Sequence, residues 1–341
     1  MSDTTPSDRL EERSAGNPVW IRLLIHSNRW LLVAAVLVAV FGLLVAAGAL
    51  GLAPFREIVA SQNGVRYLFS PFIGAIITGT SIVVTINQLV LSQELGAVGD
   101  QRSRMQEAMA FQTDVESMLG EEVSSPEPAA FLRELLAGID GRANRLGESA
   151  IANHEPERSE TVGAFVDDVQ RNTALVSDEL DGAQFGTFAV ISAALDFNYS
   201  WKIYTARRIR ARHGESLSGE DEGALDELID LMEFFGEARE HFKTLYFQWE
   251  LINLSRALLY IAVPALTVVG VFLMYVDGTT LYGTLLGVDT LVWVSSAGFA
   301  FGLAPFVVFI VFILRIATVA KHTLAMGPFI LRQTERDREV E

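Results

Sequence analysis

Five regularly spaced polar residues interrupt a largely apolar run from Thr78 to Ser92. Thr78, Ser81, Thr85, Gln88 and Ser92 recur at intervals of three and four, which stacks them on one face of an α-helix. The residues around them are largely Ile, Val and Leu, so a helix here is apolar except for one stripe of hydroxyls and a carboxamide. When several copies of such a stripe surround an axis, the oxygens can replace part of a permeating ion's hydration shell. Thr80, Asn87 and Glu94 follow one another at intervals of seven beside the stripe. The pore-lining candidates are therefore Thr78, Ser81, Thr85, Gln88, Ser92 and Asn87, with Glu94 and Asp100 as acidic groups at a cytoplasmic mouth. The same small polar residues, with Gly74 and Gly79, also suit a dry interface of closely approaching helices. Facing lipid they would be poorly satisfied, so the stripe has to meet water or protein.

A second set is basic. The segment KIYTARRIRARHG carries Lys202, Arg207, Arg208, Arg210 and Arg212 towards the end of a helix, with an acidic run just beyond it. Charge pairing at a helix C-terminus explains such a cluster. Contact with anionic lipid headgroups is the sharper alternative, and it would recruit Arg207, Arg208, Arg210 and Arg212 together with Arg22 and Arg29 near the first apolar run. Nucleic acid is not an expected partner of a chain with 42 acidic against 26 basic residues. Catalysis has no visible machinery. The five histidines (His26, His154, His213, His241, His322) are scattered and never lie at i, i+4, and the absence of cysteine removes thiolate ligands and nucleophiles. No Gly-rich phosphate loop, nucleophile elbow or H-E-x-x-H motif occurs. Neither an enzyme, a cofactor nor a metal site is expected.

Hydropathy predicts the helices that carry these residues. Half of the 341 residues are hydrophobic and 20% are charged, and the two kinds are segregated into blocks. A charge at mid-bilayer costs several kcal/mol, and about 20 apolar residues cross the hydrocarbon. Four stretches qualify, and they predict spans at residues 30–55, 67–93, 255–276 and 290–314. The first begins too far in, and runs too long, for a cleaved signal peptide. Lys and Arg near the span ends are unevenly distributed. Arg22, Arg29, Arg102, Arg104, Lys243, Arg256, Arg315 and Lys321 fall on one side and only Arg56 and Arg66 on the other, which predicts that both termini and the central region are cytoplasmic. Tyr275, Tyr282 and Trp293 suit anchors at the membrane surface.

Residues 94–250 hold 31 acidic and 14 basic residues, leaving the rest nearly neutral. Only three of the basic residues in the chain are lysines, a composition suited to concentrated cytosolic salt. The apolar periodicity inside residues 94–254 is helical, with no alternation typical of strands. The second span is expected to run on as one helix to Gly120. Further helices are expected after Pro128, from near Pro156, and from about Gln184 to His213. The last is the most regular: Leu225, Leu228, Met232, Phe235, Arg239, Phe242, Tyr246 and Trp249 make a heptad seam broken only by the arginine. Its helix is expected to continue into the third span.

At the ends, residues 1–17 are polar and expected to be disordered, residues 18–29 suit an interfacial helix, and residues 315–341 form a charged cytoplasmic tail. The chain is thus expected to be an all-α integral membrane protein of the cell membrane, multi-pass, with four transmembrane helices and a helical cytoplasmic domain inserted between spans 2 and 3. The function expected is a homo-oligomeric ion channel or pore lined by the second span. Its partners would be membrane lipids, further copies of itself and permeant inorganic ions. The competing expectation is a non-conducting scaffold or sensor that binds a partner through its cytoplasmic helices, the heptad seam acting as a coiled coil.

Overall fold

A computed structural model describes residues 27–51, 55–61, 64–152, 156–184, 186, 188–213 and 218–322. The described residues are nearly all helical. They comprise α1 (Arg29–Ala49), α2 (Phe55–Ser61), α3 (Gly64–Glu94), α4 (Val98–Leu119), α5 (Pro128–Ala152), α6 (Pro156–Leu180), α7 (Phe188–Asp196), α8 (Tyr199–His213), α9 (Gly219–Tyr275), a short hairpin of β1 (Thr284–Leu285) and β2 (Val288–Asp289), and α10 (Thr290–His322). The chain divides into two compact units.

One unit contains Leu23–Leu95 and Gln248–Thr318. It holds α1, α3, α10 and the apolar part of α9, the four helices long and apolar enough to cross a membrane. Asn28 caps α1 by accepting the Trp30 N–H at 2.9 Å. The helix stops at Leu50 and Gly51, whose φ of +62° suits glycine. The first span was expected over residues 30–55, but helix α1 ends at Ala49 and Phe55 opens the separate helix α2. Two apolar clusters fill this unit. Phe69 of α3 stacks on Phe272 of α9 with ring centroids 4.5 Å apart, beside Val65, Phe72, Ile76, Ala265 and Val269. The other cluster gathers Val33, Val83, Leu258, Val308 and Phe312 from all four helices.

The second unit includes Gly96–Phe247. Leu132, Leu135 and Ile139 of α5, Val166 and Val169 of α6, and Ile203 of α8 share one core with Leu225, Leu228, Met232 and Phe235 of α9. The first half of the heptad seam, from Leu225 to Phe235, is therefore the inside of this domain, whereas Trp249 at its end is exposed. Arg239 fits the seam because its guanidinium lies 4.5 Å over the Tyr199 ring and donates to the Tyr199 hydroxyl and to Glu240. Gly236 makes room for that tyrosine, since a Cβ there would stand 2.7 Å from the ring.

Two expected helices are divided. The run out of the second span breaks at Leu95–Ala97, where Gly96 and Gly99 flank the new start at Val98 and weaken helix continuation. The helix expected from Gln184 to His213 is α7 and α8, separated at Phe197 and Asn198. There Phe197 turns into the core against Phe235, and the buried Asn172 satisfies the backbone freed at the break by donating to the Asp196 carbonyl and accepting the Asn198 N–H. In contrast, α9 runs 57 residues from the heptad through the third apolar stretch, with Pro264 inside it. The expected disordered segment 1–17 and most of the interfacial helix 18–29 lie outside the described residues, as does the tail beyond His322.

Candidate functional site

Helix α3 has two opposed faces. Val65, Phe69, Phe72, Ile76, Val83 and Val90 are buried, and all but Val90 belong to the unit's two apolar clusters. The polar stripe is displaced from Ile76, Val83 and Val90 by two residues, about 200° around the axis at 3.6 residues per turn. Thr78, Ser81, Thr85, Gln88 and Ser92 are accordingly all exposed, turned away from the other helices of their own unit.

Local bonding divides the stripe. Ser81 donates to the Ile77 carbonyl at 2.8 Å, Thr85 to the Ser81 carbonyl at 2.9 Å and Ser92 to the Leu89 carbonyl at 2.7 Å. These hydroxyls satisfy their single proton within the helix and leave oxygen lone pairs facing outward. Gln88 has two N–H donors and a carbonyl in the same exposed row, which a helix backbone does not satisfy in this way.

Asn87 does not share that face. It lies four residues after Val83 and three before Val90, so helix geometry turns it towards the unit's interior, where it is half-buried and its Oδ1 is fully covered without a hydrogen bond. Thr80 is half-buried as well. The side chain of Glu94 lies outside the described residues. Asp100 is exposed in the first turn of α4; the break at Leu95–Ala97 separates it from α3, so the expected mouth is not one continuous helix face.

Arg22 also lies outside the described residues. Arg29 is engaged inward. Its Nη1 donates to Glu250 at 2.7 Å, the Glu250 side chain is 2% exposed, and the guanidinium stacks 4.9 Å over Phe312. On α8, Arg210 pairs with Asp226, which is the helix-end pairing that the neighbouring acidic run offered. Arg207 and Arg212 are exposed and Arg208 is half-buried.

Sequence reasoning missed a clasp between the two loops of the apolar unit. Arg56 of α2 grips Asp289 through Nε at 2.8 Å and Nη2 at 2.6 Å. It also donates to the carbonyls of Gly278, Thr280 and Leu281 and lies 4.9 Å over the Tyr282 ring. The hydrogen bonds from Arg56 hold the Asp289 carboxyl below the usual carboxylate range, and the same bonds raise Arg56. Asp277 is lowered too, chiefly by the Thr279 hydroxyl. The one hint in the sequence was that Arg56 stands in a region with few basic residues. Among the described residues no group of three His, Asp or Glu is placed to hold a metal.

Fold and site together define a helical protein with four helices long and apolar enough to span a membrane, one of which presents a polar face away from its neighbours. The chain belongs to a family of unknown function, DUF7972, whose model matches residues 1–341. No curated protein matches it. No solved structure matches it.

Proposed function

We propose that this protein is the subunit of a homo-oligomeric membrane channel or pore whose path is lined by Thr78, Ser81, Thr85, Gln88 and Ser92. The observation that carries this is that every residue of the polar stripe of α3 is left exposed, beside the exposed Ile77, Ile82 and Leu89, while Phe69, Phe72, Ile76 and Val83 on the other side pack into the protein's own core. A carboxamide and four hydroxyls facing hydrocarbon are unfavourable, so the stripe turns to water or to other copies of itself around an axis. The outward lone pairs of Ser81, Thr85 and Ser92 suit partial coordination of inorganic ions. Glu94 and Asp100 then stand on the way out to the cytoplasm, where both termini and the helical domain lie, and catalysis and nucleic-acid binding have no part in it. Burial of Leu225, Leu228, Met232 and Phe235 in the domain core takes that half of the seam away from a scaffold that docks partners through those helices.

The test is ion flux through the purified full chain in liposomes at high salt, at matched incorporation. Gln88→Leu and Thr85→Phe are expected to change the rate or selectivity of flux while the oligomer, sized in detergent, is kept. Wild-type protein that carries no ions under varied voltage, pH and membrane tension would sink the proposal, as would flux indifferent to both substitutions.

A further inference from the structure

The loop between α9 and α10 contains an apolar tip that its own fold does not use. Thr284 pairs with Asp289 and Leu285 with Val288, so the strands are joined by the two-residue turn Leu286–Gly287. Both turn residues have positive φ, 53° and 78°. That is a type I′ turn, for which Asn-Gly is the favoured pair and a leucine at the first position is strained. Leu286 is nevertheless 86% exposed, with Leu285 at 55% and Tyr282 at 74%. A turn needing only to reverse the chain in water would not place leucines here, because Asn relieves the strain and leaves no apolar surface.

The hairpin is also tied down. Trp293, in the first turn of α10, donates its indole Nε1 to the Leu285 carbonyl at 3.0 Å and packs on Phe41 of α1 at 5.8 Å. Phe41 lies eight residues before α1 ends at Ala49, about 12 Å along the helix axis. Asp289, at the base of the hairpin, is held by Arg56 and accepts the Leu291 N–H. The leucine tip is thus held beside the ends of the apolar helices, level with their side chains, where a bilayer boundary passes if those helices span.

We infer that the Leu285–Leu286 tip, with Tyr282 beside it, is a lipid-binding finger that inserts into the membrane boundary where α9 and α10 emerge. Leucines enter the acyl region there, and the tyrosine keeps its hydroxyl at the headgroup level. The inference rests on the spanning of the four apolar helices and is independent of ion conduction.

The chain has no cysteine, so a single Leu286→Cys change gives a unique site for a nitroxide label in the full protein. The label is measured in vesicles of phosphatidylcholine and phosphatidylglycerol, comparing collisions with oxygen, which concentrates in lipid, and with a water-soluble nickel chelate. Val38→Cys, exposed in the middle of α1, is the lipid reference, and Thr279→Cys, exposed in the same loop as the hairpin, is the water reference. The expected result is that position 286 follows Val38, with oxygen collisions several-fold more frequent than at Thr279 and nickel collisions suppressed. A position 286 that behaves like Thr279 overturns the inference. Spin–spin broadening that vanishes on dilution with unlabelled protein also overturns it, assigning the tip to a second copy. If Val38 itself behaves like water, the spanning of the helices fails and the finger fails with it, a result distinct from failure at 286 alone. Should Leu286→Cys not fold, Leu285→Cys reports on the same tip with the turn residue intact.

Discussion

Removing the two partners of the Lys202–Asp168 pair is expected to have unequal consequences. Lys202 of α8 is 1% exposed and its ammonium lies 2.8 Å from the Asp168 carboxylate of α6, which is 14% exposed and also bonded to the largely exposed Arg171 at 3.1 Å. At an effective dielectric of about 20 the Coulomb attraction at this distance is about 6 kcal/mol. Desolvation of a buried ammonium costs several kcal/mol, so the intact pair is close to break-even. Asp168→Ala leaves the buried charge without this carboxylate and should cost about 3–5 kcal/mol. Lys202→Met keeps the volume and leaves a carboxylate that retains Arg171 and some water, so its cost should be about 1–2 kcal/mol. The gap of about 2 kcal/mol corresponds to roughly 30-fold in hydrogen-exchange protection. Exchange measured by mass spectrometry on peptides from α6 and α8 of the full chain reads this directly. The double variant Asp168→Leu, Lys202→Met should recover most of the loss. If Lys202→Met lowers protection as much as Asp168→Ala, the buried end of the pair has been misidentified and the reasoning is refuted.

Three further outcomes are expected. Gly298→Ala would put a Cβ 2.4 Å from the Phe272 ring, which Phe69 pins by stacking; overpacking of about 1–3 kcal/mol should outweigh about 1 kcal/mol of helix propensity and lower the melting temperature in detergent, whereas Gly42→Ala, with open space around it, should leave it unchanged or raise it. Asp289 is more acidic in the folded protein than in the unfolded chain, so the clasp with Arg56 contributes fully above the unfolded value of about 3.9 and is lost as pH falls through the lower folded value; exchange in the loop should accelerate only in strong acid, and Asp289→Asn should make it fast at neutral pH. Ser218 accepts the Asp221 N–H while the Asp221 carboxylate accepts the Ser218 N–H, a reciprocal cap on α9; Ser218→Ala should cost about 1 kcal/mol, seen as faster exchange confined to the first turns of that helix.

The sequence by itself determined the four apolar helices, the helical character of the acidic segment and the stripe on α3, because each depends on local periodicity and on hydropathy summed over a span's length. Even the 57-residue run of α9 was legible, since nothing between Gly236 and Pro264 interrupts it. Tertiary structure alone decided which way each face turns. The heptad of Leu225, Leu228, Met232 and Phe235 specifies an apolar seam, and identical spacing serves a partner helix or a domain core; contact with α5, α6 and α8 chose the core. Asn87 joined the polar stripe on spacing and left it on packing, because a helix face is defined only relative to what covers it. The partners of Arg29, Arg56 and Lys202 lie 34 to 233 positions away along the chain, and pairing at such distances is fixed by how helices pack, a property no local window of residues contains.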